Sequence, residues 1–180
     1  TAAYKEKIYL NCPVEKVSRQ DSGVTLYSSR GEERFDAVVF ACHSDQALDI
    51  LEESSSLEKE LLGAIPYQAD EAILHKDKSV LPKKPLAWAA WNYHLDGSIG
   101  ELASLTYNMN ILQRLDTETV YNVSLNYDKI DPSQIVKKVN YAHPVFSLEG
   151  VRAQKRHSEI SGHNHTFYAG AYWSYGFHED

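Results

Sequence analysis

At 180 residues, 43% apolar and 24% charged, the chain has the composition of a folded soluble protein and is long enough to bury a core as one domain or two small ones. A formal net charge of -7, with no basic run longer than Lys83-Lys84 or Lys137-Lys138, argues against nucleic acid or an anionic membrane surface as partner. Two cysteines make no disulfide framework and favour a reducing, cytoplasmic setting, and no apolar run approaches the ~20 residues of a membrane-spanning segment.

Three strands are expected in the first forty residues: "IYLNCPVEKVSRQ" from Ile8, "GVTLYSSRG" after the turn Asp21-Ser22-Gly23, and "ERFDAVVFA" after Gly31-Glu32. The last contains a continuous apolar run, Ala37 to Ala41, the pattern of a strand buried on both faces. A helix capped by Ser44 or Asp45 follows, with Ala47, Leu48 and Leu51 on one face, and a second short helix, "LEKELLGAI", closes near Gly63 and Pro66.

From Tyr67 the texture changes. "YQADEAILHKD", "LAWAAWNYHLD", "LASLTYNMN", "VYNVSLNY" and "IVKKVNYAHPVF" are rich in aromatic and β-branched residues and are broken by Pro, Gly and Asp, which reads as a largely antiparallel sheet of about five strands. By alternation Trp91, Tyr93 and Leu95 share one face and Asn92 and His94 the other, with Tyr107, Asn108 and Asn110 on a neighbouring segment. "SLEGVRAQKRHSEI" is helical in pattern, with Glu149, Arg152 and Lys155 as a solvated face and Gly162 as a stop. A closing strand, Thr166 to Ala169, runs into "GAYWSYGFHED". The fold class is therefore mixed α+β. Residues 1–64 and 166–180 are α/β material, and residues 65–165 an inserted antiparallel sheet domain.

The end stretch carries chemistry of its own. Gly170 and Gly176 allow close backbone approach or positive φ, and Tyr172, Trp173 and Tyr175 offer flat surfaces to line a planar ring. A Gly-kinked strand end packed into a core is the plainer alternative. Other candidates are weaker. His163-Asn164-His165 lacks a third ligand at a recognisable spacing, so no metal site is expected. Cys42 reads as an inert buried thiol, His43 as a helix cap or surface residue, and no G-x-S-x-G elbow supports a hydrolase.

Taken together, "FDAVVFACHSDQALDIL" and "FYAGAYWSYGFHED" resemble the flavin-containing amine oxidase superfamily, in particular its bacterial branch of NAD/FAD-binding oxidoreductases. "NCPVEKV" is similar to the family's adenine-side strand, which places Val14 where a backbone amide and carbonyl would meet the adenine of FAD. The resemblance further implies cofactor contact at Ala41 and Cys42 and at Gly170, Ala171, Tyr172, Trp173, Gly176, Phe177 and His178, the last two through backbone groups near the isoalloxazine. It also implies that the inserted sheet roofs a substrate pocket, with Trp91, Tyr93 and Tyr107 as its candidates; ordinary sheet packing explains those three as well.

One departure bears on the cofactor. No G-x-G-x-x-G occurs anywhere in the sequence, and that loop normally supplies the amides that bind the pyrophosphate at a helix N-terminus. The sequence also has no initiator Met, its only Met being Met109, and it ends inside the flavin-end motif. The expectation is a fragment of an FAD-dependent oxidoreductase that alone holds FAD weakly and is inactive. The implied reaction is hydride transfer from a substrate C–H, with no catalytic acid or base assigned. The superfamily spans amine oxidases, desaturases and isomerases, so the substrate is a small molecule, a lipid or an amine, and the largely uncharged aromatic sheet suits an apolar one. The rival from another class is a non-enzymatic, Tyr-rich sheet that binds a ligand or protein.

Overall fold

The computed structural model describes residues 2–95 and 104–176. In chain order its strands are β1 (Val14–Gln20), β2 (Gly23–Ser28), β3 (Gly31–Phe35), β4 (Val38–Phe40), β5 (Tyr67–His75), β6 (Trp91–Tyr93), β7 (Leu105–Asn108), β8 (Asn122–Leu125), β9 (Ile135–Pro144) and β10 (Thr166–Tyr168). The helices are α1 (Ser44–Ile50), α2 (Ser56–Gly63), α3 (Met109–Gln113) and α4 (Leu148–Gln154). The class is mixed α+β with mostly antiparallel pairing, and no helix among the described residues is long and apolar enough to cross a membrane. Two compact units form, one from Thr1–Pro66 with Pro144–Asp180 and one from Tyr67–His143.

In the first unit β1, β2 and β3 form an antiparallel meander. Gly23 closes its first turn at φ +136, and a Cβ there would sit 2.3 Å from the Phe35 carbonyl oxygen, so no other residue fits. β1 begins only at Val14, because Pro13 lacks a ladder N–H and Asn11 turns left-handed at φ 54. The third expected strand divides at Asp36: β3 stays in the meander, whereas β4 pairs in parallel with β10, Phe40 opposite Tyr168.

The Ala37 to Ala41 run is not buried on both faces. Phe40 is buried, but Val39 is 61% exposed and its partner Phe167 is 44% exposed. Successive side chains of a strand point to opposite faces, and among the described residues only one face of this parallel pair is covered.

The core joins Val17 and Val24 of the meander, Phe40 and Tyr168 of the parallel pair, Ala47 and Leu51 from α1, Leu61 and Leu62 of α2, and Ala153 and Ile160 from α4 and the turn beyond it. Those last two explain why α4 belongs to this unit, so that the compact sheet unit ends at His143 rather than at 165. Helix α2 starts with a capping box: Glu58 N–H donates to Ser55 Oγ at 3.2 Å, and Ser55 N–H to Glu58 Oε2 at 2.7 Å. In α1 the N-cap is His43 rather than Ser44 or Asp45, and its N–H donates to Gln46 Oε1.

The second unit is a five-stranded sheet in the order β6-β7-β8-β5-β9. The long aromatic segment before Leu95 yields only the short strand β6, since Pro85 starts a helical turn at Pro85–Ala87. Registers place Trp91, Tyr107, Val123 and Leu74 in one row and Tyr93, Leu105, Leu125 and Ala72 in the next, all on one face. The opposite face carries Thr106, Asn108, Asn122, Ser124 and His75, every one of them buried. A small apolar cluster of Ile73, Val80, Leu81 and Ile130 packs in the same unit. Buried polar side chains thus sit beside the core residue Ile73 on one face, while on the other Ala72 is buried and Trp91 and Tyr93 are exposed at 61% and 63%.

Candidate functional site

The two parallel strands end at the same edge. Ala169 N–H donates to the Phe40 carbonyl at 2.9 Å, so Ala41 and Ala169 leave the pair side by side. In open α/β sheets ligands settle outside the carboxyl ends of parallel strands. Beside this edge runs an apolar groove of about 500 Å³, walled by Val14, Val17 and Leu26 of the meander and by Val38, Ala41 and Cys42. The β1–β2 register shifts between Val14 and Lys16, and such an irregularity leaves backbone groups outside the regular ladder next to Val14. Ala41 is exposed and small. Burial pushes the Cys42 thiol up, which keeps it protonated and poorly nucleophilic.

The strand β10 is held at this edge from below. Tyr168 stacks on Phe40 with ring centroids 5.5 Å apart and donates its hydroxyl to Glu58 Oε1 at 2.8 Å. Arg19 grips the same carboxylate through both terminal nitrogens, at 2.5 and 3.0 Å. Burial alone would raise Glu58, but the bonds from Arg19, Ser55 and Tyr168 outweigh it and bring its pKa to about 2. Burial, then the Glu58 charge, raises Tyr168 far above the usual phenol range.

Past Tyr168 the chain forms a turn, Ala171–Trp173. Gly170 is extended at φ 166, a conformation open to any residue; its glycine is required instead by Tyr172, whose ring would lie 2.3 Å from a Cβ. Tyr172 is buried, its ring 5.2 Å from that of Trp173, which lies 4.5 Å from His157. Gln154 of α4 fastens the loop by donating from Nε2 to the carbonyls of Tyr172 and Ser174, each at 2.9 Å. Gly176 needs its freedom, at φ 88. Trp173 and Tyr175 line a second groove, of about 540 Å³, with Phe146 and Val151.

The structure therefore brings Val14, Ala41 and Cys42 together in one groove. Gly170, Ala171, Tyr172, Trp173 and Gly176 form a separate loop against α4. Phe177 and His178 lie outside the described residues. In the second unit Trp91, Tyr93 and Tyr107 do share a face, Trp91 meeting Tyr107 edge-on at 5.3 Å. His163 and His165 form no metal cluster with other side chains among the described residues, and His165 Nε2 bonds to the Asp21 carbonyl.

This geometry has known counterparts. Residues 2–73 match the family model of flavin containing amine oxidoreductases. Over this stretch the chain is similar to the flavin-containing amine oxidase family. No curated protein matches the sequence.

Among solved structures, the fold is similar to that of a CLA-producing fatty acid isomerase from P. acnes, with a TM-score of 0.62 at 14% identity over 93% of this chain and 44% of that one. A putrescine oxidase bound to putrescine has a TM-score of 0.60 at 10% identity, again over 93% of this chain and 44% of that one. Cyclohexylamine oxidase from Brevibacterium oxydans IH-35A has a TM-score of 0.58 at 13% identity, over 96% of this chain and 45% of that one. The chain thus spans 44% to 45% of the length of these three proteins.

Sequence reasoning missed two groups of residues. The Arg19–Glu58–Tyr168 cluster joins positions 39 and 110 residues apart in the chain, a separation that no local pattern signals. The buried polar row of the second unit hides behind an alternation read for its aromatic members; the run of small polar residues at Thr106, Asn108, Asn122 and Ser124 was the available sign.

Proposed function

We propose that these residues are part of an FAD-dependent oxidoreductase in which the first unit carries the adenine and flavin contacts and the aromatic face of the second lines the substrate. The observation that carries this reading is the apolar groove at the carboxyl end of β4, which gathers Val14, Ala41 and Cys42 around an irregular strand start. Its apolar walls suit a flat adenine ring. The pyrophosphate has no G-x-G-x-x-G loop in this sequence, which supports weak FAD binding by these 180 residues alone.

When bound, FAD supplies the acceptor for a hydride leaving a substrate C–H. The chain's own residues bind and orient. Val14 offers backbone groups to the adenine, and Ala41 and Cys42 are small enough for close approach. The Gly170–Gly176 loop, with Tyr172 and Trp173, is assigned to the flavin end, and the backbone N–H groups of Phe177 and His178 to stabilising the charge that develops there. No side chain is given the role of acid or base.

The aromatic face carries no charge in the rows Trp91–Tyr107–Val123–Leu74 and Tyr93–Leu105–Leu125–Ala72, which favours an apolar, lipid-like substrate over a cationic amine. The similar folds include both a fatty acid isomerase and amine oxidases. The test is Ala41→Trp in the complete reading frame that encodes these residues. Its exposed position tolerates bulk, so far-UV circular dichroism stays unchanged while the flavin-to-protein ratio falls several-fold. Full flavin content in that variant would remove the groove from the cofactor site.

A further inference from the structure

The buried polar face of the second unit holds a chain of hydrogen bonds with a histidine at each end. His75 Nε2 lies 2.9 Å from Ser124 Oγ, Ser124 Oγ is 2.6 Å from Thr106 Oγ1, and Thr106 Oγ1 is 2.7 Å from His94 Nε2. His75, Ser124 and Thr106 are fully shielded from solvent. The other end is anchored, because Asp77 N–H donates to His75 Nδ1 at 3.2 Å.

That anchor sets the direction of the whole chain. With Nδ1 accepting, His75 carries its proton on Nε2 and gives it to Ser124 Oγ. Ser124 then gives its hydroxyl proton to Thr106, and Thr106 gives its own to His94 Nε2. The reverse order would place a proton on His75 Nδ1 against the Asp77 N–H, two donors face to face, whereas this order gives the Nε2 proton of His75 and both hydroxyl protons an acceptor.

We propose that this chain is an acid-sensitive latch that holds both imidazoles neutral, in opposite tautomers, and ties the loop after β5 to the sheet. A solvent proton binding His94 Nε2 would face the Thr106 hydroxyl hydrogen. Turning that hydrogen back towards Ser124 turns the Ser124 hydrogen towards His75 Nε2, which already carries one. A proton binding His75 Nδ1 would instead face Asp77 N–H. Either uptake opens one bond of the chain, and no proton passes from end to end.

The groups placed against the pair set the balance. Tyr127 stacks on His94 with ring centroids 3.9 Å apart, and the Asp77 carboxylate faces His75. That carboxylate is itself held by the N–H groups of Ser79 and Asp131, and Asn122 Nδ2 donates to the Asp77 carbonyl. Opening the His75 end therefore removes one of the bonds that hold the loop carrying Val80 and Leu81 of the small apolar cluster, and loosens the Asp77 amide first. Burial lowers His75, opposed by the Asp77 charge, in keeping with an imidazole held neutral.

The test is long-range proton–nitrogen NMR of the imidazoles in the full chain. At neutral pH His75 should show a protonated Nε2 and His94 a protonated Nδ1. On acidification, hydrogen-exchange protection of the Asp77 amide should fall as the histidines take up protons. Thr106→Val removes the donor to His94, so His94 should gain its proton about one pH unit higher than in the unaltered chain. The unaltered protein decides the matter even if that variant folds poorly: the same tautomer on both histidines, or Asp77 protection unchanged through their titration, overturns the latch. The result does not depend on the cofactor reading.

Discussion

Tyr168 donates its hydroxyl to Glu58 at 2.8 Å across 110 residues of sequence, and this one bond ties the last strand of the first unit to the helix that begins with a capping box. Glu58 thereby does three things. It caps α2, neutralises Arg19 inside the fold, and fixes β10 one residue before the strand pair opens into its loops.

Removing the charge from that carboxylate should be expensive. Glu58→Gln keeps the shape but leaves Arg19, with 12% of its side chain exposed, without its counter-ion. Breaking a buried pair from one side costs about 3 kcal/mol or more, whereas Tyr168→Phe, which deletes one bond to a charged acceptor, costs about 1–2 kcal/mol. Urea denaturation of the two variants checks both size and order; a silent Glu58→Gln would mean that the cluster adds nothing to stability.

The same residue gives an acid limb of known sign. Glu58 is held at about 2, below the ordinary carboxyl value, so the unfolded chain binds more protons between about pH 5 and pH 2. Its contribution is complete above that window and is lost as pH falls through it. Thermal melts should show the gap between the unaltered chain and Glu58→Gln shrinking from pH 6 to pH 3. A gap of constant size would show that the folded carboxyl is not depressed.

Gly170→Ala should destabilise through a single clash. The new Cβ would lie 2.3 and 2.7 Å from the Tyr172 ring atoms Cε1 and Cδ1, and overpacking of this kind costs about 1–3 kcal/mol. Pairing it with Tyr172→Leu removes the obstacle, so the double variant should lose less than the sum of the two single changes. Additive losses would place the strain elsewhere.

On the second unit, Trp91→Ala and Tyr93→Ala should leave folding within about 0.5 kcal/mol, since both side chains are mostly exposed. In the proposed enzyme they should raise KM for an apolar substrate more than they lower kcat, as expected for lost ground-state binding. Unchanged kinetics in both variants would return this face to ordinary sheet packing.

How much of this was legible depended on range. The five strands of the sheet, the two short helices and the closing strand follow from local alternation and from Pro and Gly breaks. The division at Asp36 did not, because the run "ERFDAVVFA" reads as one strand until β10, more than a hundred residues later, provides the second partner. Exposure of Val39 was hidden for a related reason, since an apolar pattern records what a strand is suited to pack against, not what covers it here. At Gly170 the residue type was legible as special, but its cause, a neighbouring ring rather than the backbone angle, was not. The Arg19–Glu58–Tyr168 cluster and the histidine chain join common residue types through tertiary contact and leave no local spacing to read.

The most direct measurement is the visible absorption spectrum of the complete reading frame that encodes these residues, purified without added cofactor. The account predicts an oxidised-flavin spectrum near one flavin per chain, with Ala41→Trp well folded and largely colourless. A folded protein without flavin would contradict it.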